Sequence, residues 1–454
     1  MNIKPILIGR LNKLDEGIYT ITGHLGDVEN LTAKEYYILK NMNGFNTFHN
    51  IAEKMNCSLE EINSVYKKFL GNRKLTDLYN WNKVGWCENC KVHAAGDICG
   101  ICERTLKKIE FSPPCDPFLS FNVERKFILR VLEKKLGIKL NKNTLFLINN
   151  GMENNCFFWE VEYCGKIILK ILFKGNNENT WEYLLLEDDK NFFEKQSNVL
   201  NEYTIKKYIK ANEVRIKSLI SKEIAFIREC VNFYKTKPLI YFSGGKESMV
   251  MFSLFDNFKI PANVLTVHTG VEFPEDIDFV NYIRKKIEKN KNFNYYYFSE
   301  DGKRIIDYLN KNKILSAKNP WCRLNFKKEL KNIGTKEIYK GNDFIACEGS
   351  RWYENDFRRR HTKINFINDY QHQVWIHPLA EWTSFDIWMY IFSNNLPINP
   401  MYFKGFQRTT CWLCPIVNPF HLKCSKNTYP ELWNKINMCK LEAFGDDTTN
   451  DLPF

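Results

Sequence analysis

The C-terminal half of this 454-residue chain predicts an α/β fold with a doubly wound parallel sheet, and three observations carry that prediction. Strand-like runs such as Ala262-Asn-Val-Leu-Thr-Val-His268, Phe293-Asn-Tyr-Tyr-Tyr-Phe298 and Asp343-Phe-Ile-Ala-Cys-Glu348 alternate with helical stretches such as 277–289, as βαβ units require. The run Pro238-Leu-Ile-Tyr-Phe-Ser-Gly-Gly-Lys-Glu-Ser248 passes from an apolar strand through paired glycines into helical apolar spacing at 249–255. Other strands also end in polar segments, and sheets of this kind take their ligands at the carboxyl ends of the strands.

Length implies roughly two to four domains. A formal net charge of +12 suits an anionic partner, a nucleotide or RNA. The N-terminus lacks the apolar core of a secretory signal and no run is long enough to span a bilayer, so the expectation is a cytoplasmic protein without a membrane partner. In that compartment fifteen cysteines argue for thiols, metal sites or redox chemistry rather than a disulfide framework.

Residues 1–80 read as short strands followed by three helical stretches, and Ser58 with Glu61 forms a capping box ahead of the third. This order resembles a small winged-helix module, with a plain helical packing module equally open. In 84–106, Cys87, Cys90, Cys99 and Cys102 form two C-x2-C knuckles, the donor set of a closed tetrahedral zinc ribbon. Gly100 is expected to serve the second knuckle turn, and His93 is expected at the surface. Residues 111–117 read as a linker, and 111–190 as a small α+β unit. It has a helix from Glu124 and strands near 144–149, 157–163 and 166–173, the last two joined by a Cys164-Gly165 turn. A helical connector, 191–234, leads into the domain 235–454.

Within that domain Gly244 and Gly245 permit positive φ and close backbone approach. Ser243, Lys246 and Ser248 add two hydroxyls and a cation, so the loop reads as a phosphate cradle at a helix N-terminus, an ordinary βα turn being the alternative. Four polar segments follow it: 267–276, 349–358, 377–391 and 405–415.

Together the five segments resemble the adenylyl-sulfate and phosphoadenylyl-sulfate reductase family of the PP-loop ATP pyrophosphatase superfamily, over residues 235–425. The resemblance implies that Ser243, Gly244, Gly245, Lys246 and Ser248 line the phosphate site of an adenine nucleotide. Glu247 stands where the family usually has Asp and would meet magnesium. His268, Thr269 and Gly270 replace the family's strand-end motif beside the nucleotide. Arg351 and Arg358 match its paired arginines, whose guanidinium forks suit phosphate and sulfate. Trp382, Asp386 and Trp388 match a further motif, with a packing and capping role for Asp386 at least as well founded as a catalytic one. Cys322, Cys411 and Cys414 resemble the ligands of a [4Fe–4S] cluster, and Cys424 is the expected fourth; thiolate chemistry alone leaves zinc open. The terminal Glu-Cys-Gly thiol of the reductases is missing, and Cys439 is the one late thiol available as a nucleophile.

The front half resembles an archaeal variety that carries a zinc ribbon and a PUA-like RNA-binding domain, here 111–190. The leading expectation is therefore reduction of adenylyl sulfate or phosphoadenylyl sulfate to sulfite, with a thiol or a ferredoxin-type electron donor. The alternatives are ATP-dependent RNA thiolation and a non-catalytic RNA- or protein-binding role.

Overall fold

The computed structural model describes residues 5–435 apart from residues 8, 16, 24–26, 44–45, 72–73, 78–83, 113–114, 154–155, 197, 312–320, 356–357, 367–372, 410 and 415–416. Cys439 lies outside the described residues.

The N-terminal unit holds β1 (Pro5–Leu7), an antiparallel sheet of β2 (Arg10–Asp15), β3 (Ile18–Thr22) and β4 (Val28–Leu31), and helices Ala33–Lys40, Phe48–Met55 and Leu59–Gly71. It ends in β5 (Leu75–Asp77), which pairs back on β1. Ile21, Ile38, Leu39, Ile51, Ile62 and Phe69 form a core of its own. Ser58 and Glu61 make the expected reciprocal cap, at 3.0 and 3.2 Å.

β6 (Val84–Cys87), β7 (Val92–Ala95) and β8 (Lys107–Lys108) make the small sheet of the ribbon. After each knuckle one residue turns into the left-handed region, Lys91 at φ 55° and Glu103 at φ 58°, and donates its N–H to the carbonyl of the first cysteine. Those residues, and not Gly100, bear the turn conformation. Gly100 is needed for another reason: a Cβ there would lie 2.6 Å from the carbonyl oxygen of Ala211, on the helix Glu202–Tyr234. Gly100→Ala is expected to cost about 1–3 kcal/mol by forcing ribbon and helix apart, measured as a lowered thermal midpoint with metal content unchanged. His93 is also inside the protein, contrary to expectation. It has no exposed surface, and its ring nitrogens lie 2.7 Å from the Tyr208 hydroxyl and 2.6 Å from Glu162 Oε2. A satisfied polar network thus joins ribbon, sheet and helix, which is how a buried imidazole is tolerated.

The α+β unit is an antiparallel sheet of β9 (Phe118–Leu119), β10 (Leu147–Glu153), β11 (Cys156–Tyr163), β12 (Lys166–Phe173) and β13 (Glu182–Leu185), in the order β13-β12-β11-β10-β9, with the helix Asn122–Leu136. Cys164 (φ 49°) and Gly165 (φ 85°) both lie at positive φ, as a two-residue hairpin turn matched to strand twist requires. The connector is one long helix, Glu202–Tyr234, preceded by the short helix Lys190–Lys195. Asn201 caps the long helix, and Arg215 on it makes a bidentate ion pair with Asp386, 3.0 Å on each arm. The helix therefore ties the ribbon to the last domain.

That domain has β14 (Leu239–Tyr241), β15 (Ala262–His268), β16 (Phe293–Ser299), β17 (Phe344–Cys347), β18 (Ile364–Phe366) and β19 (Gln373–Ile376), in the order β16-β15-β14-β17-β19-β18. All pairings are parallel except β18 on β19, so the doubly wound α/β expectation holds. Every residue of β15 is buried, as a strand covered on both faces requires. The chain runs outward from β14 to β16 and then returns to the other side of β14. This reversal leaves a crevice between the carboxyl ends of β14 and β17, the ligand position in open α/β sheets.

Candidate nucleotide site

The glycine loop leaves β14, and the segment Glu348–Arg358 leaves its neighbour β17, so both polar stretches reach the crevice. Gly244 sits at φ 74°, where a Cβ would come 2.8 Å from Val280 Cγ2. Gly245 is the N-cap of the helix Lys246–Asn257 and has no capping side chain, so the first-turn amides are open to an anion. One of them, at Lys246, is held at 2.8 Å by the Tyr402 hydroxyl. The Ser248 hydroxyl donates to the Gly245 carbonyl at 3.0 Å and braces the turn.

The loop opens on a cleft of about 310 Å³. Ser243, Gly245, Lys246, Glu247 and Ser248 line it, as do Arg351 and Arg358, whereas Gly244 packs beneath against Val280. His268, Thr269 and Gly270 are not among its wall residues. His268 Nδ1 lies 3.0 Å from the Tyr297 hydroxyl, and burial lowers its pKa. Thr269 and Gly270 donate their amides to Glu272, and the Gly270 backbone abuts Gly302 too closely for any Cβ. That strand end is shaped by internal contacts that spacing along the chain does not show.

The charges of Lys246, Glu247, Arg351 and Arg358 are paired within the chain. Glu247 Oε1 accepts from Lys246 Nζ at 2.8 Å and from Arg351 Nε at 3.1 Å. Arg351 Nη1 and Nη2 donate to the two oxygens of Asp116 at 2.8 and 2.9 Å, and Ser384 N donates to the same carboxylate at 2.5 Å. Arg358 Nη1 donates to both oxygens of Glu354 at 2.8 Å. Asp116 escaped the sequence reading because its segment looks like a linker; its partner lies 235 positions away, and no local pattern marks it. Lys327 and Arg408, also missed, are exposed wall residues, and among the described residues no carboxylate pairs with either.

Burial would raise the Glu247 carboxyl, but Lys246 and Arg351 outweigh it and bring the pKa down to about 2. A carboxyl depressed in the folded state adds stability above its unfolded value near 4.5, and that stability is lost as pH falls toward about 2. Acid titration of the unfolding midpoint is therefore expected to fall more steeply below pH 4.5 for the wild type than for Glu247→Gln. Glu124 moves the other way, pushed up to about 7 by burial.

The cysteines separate into groups. Cys87, Cys90, Cys99 and Cys102 have their sulfur atoms all within 4.8 Å of one another, and among the described residues they are the only set of three or more His, Cys, Asp or Glu that converges so closely. The site fits a metal held by four thiolates. Cys411 faces Cys414, which with burial and the nearby Cys322 and Glu272 pushes its thiol far up. The segment pairs with the β15 exit through a bridge from Cys411 to Glu272, and Thr409 Oγ1 lies 2.7 Å from where a Gly245 Cβ would be. Cys424 does not join this group. Its sulfur packs against Gly405, with Glu124 and Lys423 as its charged neighbours, because the helix Pro419–Thr428 turns it toward the α+β unit. Four thiolates at Cys322, Cys411, Cys414 and Cys424 thus do not fit one [4Fe–4S] cluster here. Asp386 makes a capping box with Thr383, so its motif is structural, while Trp388 reaches the cleft wall.

A glycine loop at the switch point of a doubly wound sheet, with a lysine inside it, defines a PP-loop nucleotide-binding domain. Residues 237–417 match the phosphoadenosine phosphosulfate reductase domain. An uncharacterized protein of Methanocaldococcus jannaschii is 28% identical over 369 residues, covering 79% of this chain and 83% of that protein. Sulfate adenylyltransferase subunit 2 of Ectopseudomonas mendocina is 27% identical over 219 residues, 42% of this chain and 67% of its own. Among solved structures, phosphoadenylyl-sulfate reductase from Candida auris in a phosphate complex is similar over 48% of this chain and 98% of that one, at 15% identity and a TM-score of 0.33. Among the described residues no helix is long and apolar enough to cross a membrane.

Proposed function

We propose that this protein is an enzyme that binds ATP with its pyrophosphate half on the Ser243–Ser248 loop and transfers the adenylyl group to an acceptor, as a step of sulfur insertion into RNA. The observation that carries this reading is the state of the two arginines. A sulfonucleotide would have to displace Asp116 and Glu247 from Arg351 and Glu354 from Arg358, whereas phosphates on the loop amides would have to exchange only the Lys246–Glu247 pair. An acceptor oxygen attacks the α-phosphorus and pyrophosphate leaves; sulfide-level sulfur then displaces AMP. Magnesium would arrive with the nucleotide, and within the loop only Glu247 offers it an anionic oxygen. Zinc is the metal assigned to Cys87, Cys90, Cys99 and Cys102, and the 111–190 unit, on its PUA-like resemblance, is the RNA-binding part. The 1–80 unit keeps its winged-helix reading.

Reduction of adenylyl sulfate or phosphoadenylyl sulfate to sulfite is the second reading. It is favoured by the Cys411 and Cys414 thiols, with Cys322 nearby, beside the loop, and by the family description. Two assays separate the readings: pyrophosphate release from ATP with and without RNA, and sulfite release from adenylyl sulfate with a thiol reductant. RNA-dependent pyrophosphate without sulfite is expected, and sulfite in the second assay would overturn the first reading. If ATP binds but neither product forms, the protein is a binding module. Lys246→Ala is expected to weaken ATP binding by roughly tenfold, the worth of one charge-assisted contact.

A further inference from the structure

Asp116 reaches the cleft from outside the nucleotide domain, and the α+β unit fixes it there. Its amide donates to Asn149 Oδ1 at 3.0 Å, and Asn149 Nδ2 in turn donates to the Ser112 carbonyl at 2.7 Å. Ser112 is fastened to Glu160 on β11 through its own amide and hydroxyl, at 2.8 and 2.5 Å. Cys115, the residue before Asp116, sits at φ 54°, a conformation that is costly with a side chain and persists only where the surroundings impose it. Ser112, Cys115 and Asn149 therefore present one carboxylate at a set position.

That carboxylate fills an oxyanion seat. Arg351 offers Nη1 and Nη2 as a fork, and the Ser384 amide adds a third donor to the same group. A guanidinium fork suits the oxygens of sulfate and phosphate as well as those of a carboxylate. Without Asp116 the guanidinium would still be anchored, by Glu247 at Nε and by the Trp382 carbonyl at Nη1. Asp116, Glu247, Arg351 and Ser384 all line the cleft, so the space left by a shorter side chain would open onto it.

We propose that Asp116 is a selectivity residue: its carboxylate occupies a seat that would otherwise take the sulfate of a sulfonucleotide, and so reserves the cleft for ATP. The proposal rests on the reading that ATP occupies the glycine loop, and it adds the residue that enforces that choice from a separate unit of the chain. A sulfate arriving at Arg351 leaves Asp116 buried and unpaired, a penalty of the same kind as breaking a buried ion pair. ATP on the loop amides leaves this fork in place.

The test measures the affinity of the full-length protein for adenylyl sulfate and for a non-hydrolysable ATP analogue, in the wild type, Asp116→Ala and Asp116→Asn. The wild type is expected to prefer the analogue. Removing the carboxylate is expected to tighten adenylyl sulfate binding by roughly tenfold or more, the worth of the charge-assisted hydrogen bonds that Arg351 can then give. Arg351→Lys in the Asp116→Ala background is expected to abolish that gain. Inorganic sulfate is expected to raise the melting point of Asp116→Ala more than that of the wild type, with chloride at equal ionic strength as the control for screening. A purely structural residue would, when replaced, weaken both nucleotides together. The proposal is overturned if adenylyl sulfate binds the wild type as tightly as the variants, or if neither variant gains affinity for it while keeping the wild-type circular dichroism. If the wild type does not bind the analogue, the ATP reading fails, and the gain or its absence with adenylyl sulfate still decides the role of Asp116.

Discussion

Arg351→Ala is expected to destabilise the protein by about 3–5 kcal/mol and to abolish nucleotide binding, because it strands two carboxylates inside the protein. Arg351 is 2% exposed and stands between Asp116 from the α+β unit and Glu247 from the glycine loop. Burial opposes its charge, but Asp116, Glu247 and Glu354 outweigh that and raise its pKa. Breaking a buried pair costs more than the pair contributes, since the partner's desolvation stays unpaid. Arg351→Lys keeps the charge but loses the planar fork, so it is expected to recover only part of the loss. The double variant Asp116→Asn with Arg351→Lys is expected to lose less than the sum of the singles, which identifies direct coupling. Additive losses in thermal and denaturant unfolding, with nucleotide affinity intact, would refute a link between the two units.

Metal removal from the ribbon is expected to have the largest effect. Structural zinc sites contribute on the order of 10 kcal/mol to the folding of their modules. Cys87 and Cys90 come from one knuckle and Cys99 and Cys102 from the other, so without the ion four sulfur atoms crowd within 4.8 Å with nothing to neutralise their thiolates. The damage should spread, because Gly100 abuts Ala211 and His93 is bonded to Tyr208 and Glu162. Chelation, or Cys90→Ser, is expected to release one equivalent of metal, to expose 84–108 to protease, and to loosen the helix Glu202–Tyr234. Retention of protease resistance in a metal-free sample would overturn both the structural role and the coupling.

Sequence reading succeeded where local geometry rests on a short contiguous pattern. The two cysteine knuckles, the Ser58 cap, the Cys164-Gly165 turn and the glycine loop all act over a few residues, so spacing and residue type contain their geometry. The same method placed His93 at the surface and assigned Gly100 to a turn, because burial and helix approach are set by residues more than a hundred positions away. Cys424 shows the limit most plainly. Its distance along the chain from Cys414 suits a fourth ligand, but the helix that carries it points the thiol at Gly405 and toward Glu124.

By itself the sequence determined the α/β class of the last domain, the family of its loop and the donor set of the ribbon, since alternation, glycine conformation and ligand spacing are local properties. Only the tertiary structure decided that Asp116 closes on Arg351, that the α+β unit contributes to the cleft wall, and that the late cysteines part company. Those facts depend on which surfaces meet. Long-range contacts such as the Asp116–Arg351 fork join residues whose own neighbours in the chain carry no sign of the partner.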